Sequence, residues 1–216
     1  MAYAATLMSM NPHPTHPVVA GRSYHGAMTA ARSSEAERLL TLAAEHMLTH
    51  GVSQLSLSQL ARAIGSNNRM LLYYFESKDA LFAAALRRAY EGMPAERTLL
   101  AHLQRPGDIR TQLGEAWRML RAPENVPYIR LFFEAFGTAV RDPDGNRSQL
   151  TDIAAVWPGE VQRAFVVHGY AEADAEAAAS RLLALWRGLQ FALLEGVDTD
   201  TLDDAHDRAV AALFPD

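Results

Sequence analysis

Residues 65–79, which read GSNNRMLLYYFESKD, place amide, guanidinium and ammonium groups beside three consecutive aromatic rings. Asn67 and Asn68 each offer a donor and an acceptor in the geometry that pairs with adenine, and Arg69 offers the fork that pairs with guanine or a phosphate. Lys78 follows the aromatic residues and is the only lysine among 20 cationic residues. This mixture predicts a helix with one face on a protein core and another on a polar partner.

Two short helices must position these groups. Ser56 and Gln59 predict a capping box at the start of the first, since each side chain can satisfy the other's backbone N–H. Gly65 ends that helix, and Asn67 is placed to cap the next one, which runs to Phe75. Such a pair is typical of a helix-turn-helix, whose second helix lies in the DNA major groove with its N-terminal side chains on base edges.

Some residues of the second helix have a second interpretation. Capping alone explains Asn67, and packing into the core explains Tyr74, so both alternatives stay open beside a contact with DNA. Arg69 lies four residues before Tyr73 and shares a helix face with it, whereas Leu71 lies on a face that predicts contact with the domain core.

The segments before this pair predict a tail and one further helix. Residues 1–32 contain three prolines between positions 12 and 17 and show no helical period, which predicts a flexible tail. Ser34 and Glu37 then predict a capping box that opens the first helix, and Gly51 ends it.

Helical periodicity continues to the C-terminus. Ser77 can cap a fourth helix, and residues 142–146 predict a turn. Pro158 favours a break in one helix because proline removes a backbone donor. The predicted fold is all-α, with a helix-turn-helix domain at residues 33–78 and a helical bundle at residues 79–216. The further predicted helices cover residues 109–120, 126–140, 149–167, 171–196 and 202–214.

Residues 34–90 resemble the TetR/AcrR family of bacterial transcriptional repressors in three motifs, THG, LSLSQLARAIG and YYFESKDAL, without a gap between Gly65 and Lys78. The resemblance implies that the N-terminal residues of the second helix face bases and that a further set contacts phosphates. The chain departs from the family's usual pattern at Arg69 and Leu72. The implied DNA-binding residues are Ser56, Asn67, Asn68, Arg69, Tyr73, Tyr74 and Lys78.

The helix at residues 171–196 carries small residues at every fourth position from Ser180 to Gly196, which leaves a groove that another helix can approach closely. The spacing favours a dimer face, and an intrachain groove is the alternative. The resemblance implies a two-fold dimer face built from the last two helices of each subunit. The predicted interface residues are Ala184, Trp186, Gly188, Leu189, Ala192 and Leu193.

Aromatic residues interleaved with a few polar ones recur in the middle helices, which is the usual composition of a small-molecule site. Ordinary core packing explains the same spacing. The resemblance implies an effector pocket in this region. The predicted ligand-binding residues are Trp117, Tyr128, Phe132, Phe133, Phe136, Trp157 and Phe165.

Composition limits the function classes. The net charge is −5, and residues 93–216 carry 12 Arg against 19 acidic residues, so general affinity for nucleic acid is not expected outside the N-terminal part. The chain has no cysteine, no apolar run long enough to span a bilayer and a poor match to a signal peptide, which predicts a cytoplasmic protein. No catalytic arrangement, metal site or cofactor site is predicted.

The predicted function is a ligand-responsive transcriptional regulator, and the resemblance favours a repressor. It would bind a palindromic double-stranded DNA operator as a homodimer and release it on binding a small hydrophobic or aromatic effector. Two alternatives remain. One is a DNA-binding regulator without an effector that a protein partner controls, and the other is an all-α enzyme or carrier with an apolar pocket.

Overall fold

The computed structural model describes residues 21–141 and 147–214, and within them the chain is helical without strands, which confirms the predicted all-α class. A short 3-10 turn at Pro123–Asn125 precedes the seventh helix. The described helices are α1 Gly21–His50, α2 Leu57–Ala63, α3 Asn68–Phe75, α4 Lys78–Glu91, α5 Pro94–Leu103, α6 Ile109–Leu120, α7 Val126–Arg141, α8 Arg147–Val167, α9 Glu172–Leu194 and α10 Thr199–Leu213.

The predicted start of the first helix is wrong. α1 begins at Gly21, so Ser34 and Glu37 lie inside a continuous helix and do not form a capping box. Residues 21–32 contain three alanines and no proline, and once a helix has nucleated each further residue extends it at little cost. Residues 21–32 are therefore helical, and the predicted tail stays a prediction. Residues 1–20 lie outside the described residues, as does the predicted turn at residues 142–146.

Two compact units divide the chain, Met1–Glu35 and Ala36–Asp216. The described part of the first unit is the beginning of α1. All contacts below lie within the second unit. The predicted boundary at residue 78 stays a prediction.

The three caps around the helix-turn-helix are confirmed. The Gln59 N–H donates to Ser56 Oγ at 3.2 Å while the Ser56 N–H donates to Gln59 Oε1 at 2.8 Å. Asn67 Oδ1 accepts the Met70 N–H at 3.0 Å. Ser77 Oγ accepts an N–H from the first turn of α4, also at 3.0 Å. Each such cap stabilises its helix by about 1 kcal/mol.

Helices α1 to α4 bury a common set of apolar side chains, called the N-terminal cluster below. Leu71 of α3 is fully buried in it, as its helix face predicts. Two residues of α7, Leu131 and Ala135, are buried in the same cluster although they lie far along the chain. The cluster consists of Leu39, Ala43, Ala44, Met47, Val52, Leu60, Ala61, Ile64, Leu71, Leu81, Ala85, Leu86, Ala89, Leu131 and Ala135.

The remaining helices enclose a second core, the C-terminal cluster, whose largest buried side chains are Trp117, Trp186, Phe165 and Phe214. α8 continues through Pro158 without a break, and α5 is a helix that periodicity did not predict. Pro94 opens α5 at its first turn, where the missing N–H removes no helical hydrogen bond.

Asp203 ties α10 to the C-terminal end of α6. Its carboxylate accepts the Trp117 indole N–H at 2.9 Å and two hydrogen bonds from the Arg121 guanidinium at 2.7 Å each. Burial disfavours the charged carboxylate, yet the hydrogen bonds and charge of Arg121 outweigh it and hold the pKa of Asp203 below its usual value.

We expect Asp203→Asn to lower the free energy of unfolding by about 2 kcal/mol at pH 7, because it weakens hydrogen bonds to a charged, partly buried group. The folded-state pKa of Asp203 is depressed, so its stabilisation is present above the unfolded value near pH 4 and is lost as pH falls through the folded value. Urea unfolding at pH 7 and pH 3 measures the free energy of unfolding of the wild type and of Asp203→Asn. The difference between these two free energies should be smaller at pH 3.

Asp204→Asn is the matched control, since Asp204 is exposed and pairs with the exposed Arg208 one helical turn away. Its effect should stay within about 0.5 kcal/mol. Equal effects of the two substitutions would contradict the role given to Asp203.

Candidate nucleic-acid interface and ligand cavity

The turn between α2 and α3 is closed by backbone contacts. Gly65 adopts a φ of +68°, in the left-handed region that glycine reaches without steric cost. The Ser66 N–H donates to the Ala61 carbonyl at 2.8 Å, which satisfies a carbonyl at the end of α2. The turn therefore fixes the start of α3 relative to α2.

The cap and the first residues of α3 are exposed, but Asn67 and Asn68 already make hydrogen bonds within the protein. The Asn68 amide donates to Ser58 Oγ at 2.8 Å, which holds its side chain against α2, and Asn67 uses its oxygen as the helix cap. The structure thus shows the capping role of Asn67, and its contact with a base stays a prediction. Arg69 is exposed on the same end of the helix.

The aromatic residues of α3 divide between solvent and core. Tyr73 is 54% exposed and lies edge-on to Tyr74, with ring centroids 5.1 Å apart. Tyr74 is half-buried and packs against the N-terminal cluster. The core interpretation of Tyr74 is therefore observed, and Tyr73 is the more accessible of the two rings.

Two further predicted phosphate contacts lie at helix starts. Lys78 is the first residue of α4 and is exposed, with its Nζ 4.9 Å from the centroid of the Phe82 ring. Ser56 is exposed, and its hydroxyl already serves the capping box of α2.

Met70 and Leu72 are exposed apolar residues on α3, at 36% and 41% of their surface, which the sequence reasoning did not assign to the interface. Leu72 follows Arg69 by three residues and therefore lies near its helix face. Apolar side chains in the major groove contact the methyl group of thymine. The helical spacing was the signal that could have identified Leu72.

The end of α3 contains a strained residue. Glu76 has φ +68° and ψ −43°, which a residue with a Cβ adopts only at a cost of about 1–2 kcal/mol. The Ser77 N–H donates to the Phe75 carbonyl at 2.7 Å, which closes a tight turn around Glu76. This conformation places the cap of α4 directly after α3.

We expect Glu76→Gly to raise the melting temperature by about 2–4 °C, because glycine adopts positive φ without the steric cost and a gain near 1 kcal/mol corresponds to such a shift in a chain of this size. Thermal unfolding followed by circular dichroism measures it. The control is Glu45→Gly, five residues before the end of α1, where glycine should be destabilising. A lower melting temperature for Glu76→Gly would contradict the strain.

A cavity of about 90 Å³ lies between helices α4 to α9 and opens to the surface. The Tyr90 hydroxyl donates to the Tyr128 carbonyl at 3.2 Å, and the Tyr128 hydroxyl donates to the Gly92 carbonyl at 3.0 Å. Burial raises the pKa of Tyr90, which keeps its hydroxyl neutral. The lining residues are Tyr90, Met93, Leu120, Tyr128, Ile129, Phe132, Trp157, Leu183, Trp186, Arg187 and Gln190.

Three predicted ligand-binding residues, Tyr128, Phe132 and Trp157, line this cavity. Trp117 and Phe165 do not line it, and both are fully buried elsewhere in the C-terminal cluster.

Phe133 and Phe136 are not among the cavity residues either. Phe133 packs edge-on to Phe191 with centroids 5.7 Å apart, and Phe136 is half-exposed. A helix turns by 100° per residue, so neighbouring aromatic residues on one helix face different surroundings, which periodicity alone does not identify.

The predicted dimer residues on α9 separate in the same way. Trp186 and Leu189 are buried within their own chain, and Trp186 also lines the cavity, so neither is a surface residue. Ala184 and Gly188 are exposed. The other two predicted residues, Ala192 and Leu193, are half-buried against the C-terminal cluster.

Two absences hold for the part of the chain that the structure describes. No group of three or more histidine, aspartate or glutamate residues there could hold a metal ion. No helix within residues 21–141 and 147–214 is long and apolar enough to cross a membrane.

Comparison with known proteins gives the same interpretation of the N-terminal helices. Residues 39–85 match the family described as bacterial regulatory proteins of the tetR family. The transcriptional regulator EthR of Mycobacterium tuberculosis is 28% identical over 156 residues, which cover 70% of this chain and 66% of EthR. The match therefore leaves about a third of that relative uncovered.

Solved structures share the fold. The multidrug binding protein EbrR, complexed with imidazole, superposes with a TM-score of 0.64 at 23% identity, covering 85% of this chain and 91% of that one. GusR of Salmonella enterica superposes with a TM-score of 0.61 at 20% identity, covering 82% and 94% of the two chains. At these identities the likeness concerns the fold.

Proposed function

Since the chain belongs to the TetR family of bacterial regulatory proteins, we propose that it is a repressor that binds a palindromic operator as a homodimer and releases it when a small apolar or aromatic effector enters the cavity. One observation carries the proposal. The capped helix α3 presents Asn68, Arg69 and Tyr73 to solvent at the end of the chain's helix-turn-helix, with Lys78 directly after it.

These groups suit the chemistry of a DNA groove. Arg69 can reach a guanine edge or a phosphate, and Asn68 is held by Ser58 while its amide oxygen can still accept a hydrogen bond. A positioned side chain loses little conformational entropy when it binds. Leu72 extends the same surface with an apolar group.

The homodimer is proposed to use the exposed face of α9. Ala184 and Gly188 lie one helical turn apart on this face, and Phe191 follows with 52% of its surface exposed. Small residues allow a second helix to approach closely, while an exposed phenylalanine supplies apolar area for burial. A two-fold dimer would present two copies of α3 to half-sites about 34–36 Å apart.

The cavity supports the effector part of the proposal. Its lining combines aromatic rings with the guanidinium of Arg187 and the amide of Gln190, which suits a small molecule with an apolar body and a polar group. EbrR, which shares the fold, is a multidrug binding protein solved with imidazole.

The deciding experiment is selection of bound sequences from a random duplex pool with the full-length protein. We expect an inverted repeat whose half-site centres are one helical turn apart, with affinity that falls as salt rises because phosphate contacts release counterions. If no duplex is enriched at low salt, the proposed function is wrong.

The effector is tested with a panel of small aromatic compounds on the complex with the selected operator. Compounds that quench tryptophan fluorescence in the wild type, and less in Trp157→Phe, bind the cavity. We expect some of them to release DNA. If all cavity-binding compounds leave operator affinity unchanged, a regulator without a small-molecule effector replaces this part of the proposal.

A further inference from the structure

One contact ties the cavity-lining helix α7 to the segment that enters the helix-turn-helix. The Glu134 carboxylate accepts the Val52 N–H at 2.8 Å and the Ser53 N–H at 3.4 Å. Both donors belong to the turn between α1 and α2, and the partners are more than 80 residues apart in the chain. A charged acceptor makes such hydrogen bonds stronger than those between neutral groups.

Gly51 makes room for this carboxylate. It adopts a φ of +78° directly after the last residue of α1, and a Cβ at this position would overlap the Glu134 carboxylate. Glycine thus serves both the backbone conformation and the close approach of α7. The turn that Glu134 holds leads to Ser56, the cap of α2.

α7 contacts both regions of the protein. Leu131 and Ala135 are buried in the N-terminal cluster, while Tyr128 and Phe132 line the cavity. Tyr128 and Glu134 are six residues apart, about 9 Å along a helix. Because a helix moves as a nearly rigid element, a shift of its cavity face displaces the Glu134 carboxylate as well.

We propose that Glu134 is the positioning residue that couples the cavity to the DNA-binding helices. It fixes the turn before α2 to α7, so it sets the orientation of α2 and α3 and passes movement of α7 to them. The inference rests on the proposed function, because the coupling requires that α3 binds DNA and the cavity binds an effector. The three groups involved, Gly51, Glu134 and the Val52 amide, all lie outside the proposed DNA and effector contacts.

The first test needs no DNA. In full-length Glu134→Ala we expect the Val52 amide to exchange hydrogen about tenfold faster than in the wild type, as the loss of one charge-assisted hydrogen bond implies. The control is Glu124→Ala, an exposed glutamate just before α7, which should leave the exchange unchanged. Unchanged exchange at Val52 in Glu134→Ala would overturn the proposal.

A double-mutant cycle tests the contact itself. Gly51→Ala strains the backbone and collides with the carboxylate, and Glu134→Ala removes the collision but not the strain. We therefore expect Gly51→Ala to destabilise Glu134→Ala less than it destabilises the wild type. Equal destabilisation in both backgrounds counts against the proposal.

The second test uses the selected operator and two variants with half-sites one base pair closer or farther apart. The affinity of the wild type for the three operators should differ by about tenfold. The affinity of Glu134→Ala should differ by less than about threefold, because a loosened turn lets α3 adapt to the spacing. Glu134→Gln, which keeps an acceptor oxygen, should be intermediate. Unaltered discrimination by Glu134→Ala overturns the proposal. If the wild type binds no duplex, the proposed function fails instead, while the amide exchange still decides whether Glu134 holds the turn.

Discussion

Replacing Lys78 with alanine should weaken operator binding about 30- to 150-fold and about equally on all operator sequences. Lys78 is exposed at the start of α4, and its Nζ lies over the Phe82 ring, which orients the ammonium. In a dimer two such contacts are lost, each worth about 1–1.5 kcal/mol when a charged group is hydrogen-bonded. Because a phosphate carries no sequence information, the loss should not alter base preference.

Salt dependence separates a phosphate contact from a structural role. The plot of log affinity against log salt should lose about 1.8 units of slope, since each phosphate contact contributes about 0.9 and the dimer has two. Fluorescence anisotropy with a labelled operator between 50 and 200 mM salt, roughly the range in which such slopes are measured, gives both quantities.

Two variants control this experiment. Lys78→Arg keeps the charge and should restore most of the affinity, whereas Arg87→Ala removes an exposed cation about 13 Å farther along α4 and should change little. The melting temperature of Lys78→Ala should fall only slightly, because an exposed cation–π contact contributes about 0.5–1 kcal/mol. An unchanged salt slope would contradict the phosphate role.

Placing arginine at Gly188 should convert the protein to a monomer and lower operator affinity about 10²- to 10⁴-fold, because two linked half-site contacts become independent. Gly188 lies on the exposed face of α9, and apart from its chain neighbours and the backbone of its own helix, no described atom lies within 4 Å of a Cβ added there. The substitution therefore disturbs the proposed dimer contact without a clash inside the chain.

Helix propensity separates loss of the dimer from loss of the fold in this test. Glycine within a helix is less favourable than arginine by up to about 1 kcal/mol, so the folded monomer should be no less stable. Gly137→Arg on α7, where a Cβ also meets open space, is the matched control and should remain a dimer. Sedimentation velocity measures the mass, and a dimeric Gly188→Arg would show that this face of α9 is not the interface.

The caps at Ser56, Asn67 and Ser77 were predicted from the sequence because capping is local. The side chain and the backbone N–H that it satisfies lie three residues apart, so residue type and spacing contain the information. The same local rule failed at Ser34. A capping motif marks a helix start only where the helix cannot extend further, and the alanine-rich residues before it allow extension.

An aromatic cavity among the middle helices could be predicted from the sequence, but the residues that line it could not. Phe132 and Phe133 are adjacent residues of one type, yet only Phe132 lines it. Trp117 was predicted as a cavity residue because of its type, but its indole N–H donates a part-buried hydrogen bond to Asp203, more than 80 residues away in the chain. Side-chain type alone does not reveal which neighbouring helix covers a given face.

By itself the sequence determined the all-α class, the helix-turn-helix and the groups that α3 offers to a partner, since these follow from periodicity and short-range hydrogen bonds. Only the tertiary structure decided which aromatic residues line the cavity, that Tyr74 faces the core, and that Glu134 reaches the turn after Gly51. These outcomes depend on how distant helices pack. Such contacts join residues far apart in the chain, and no short stretch of sequence encodes them.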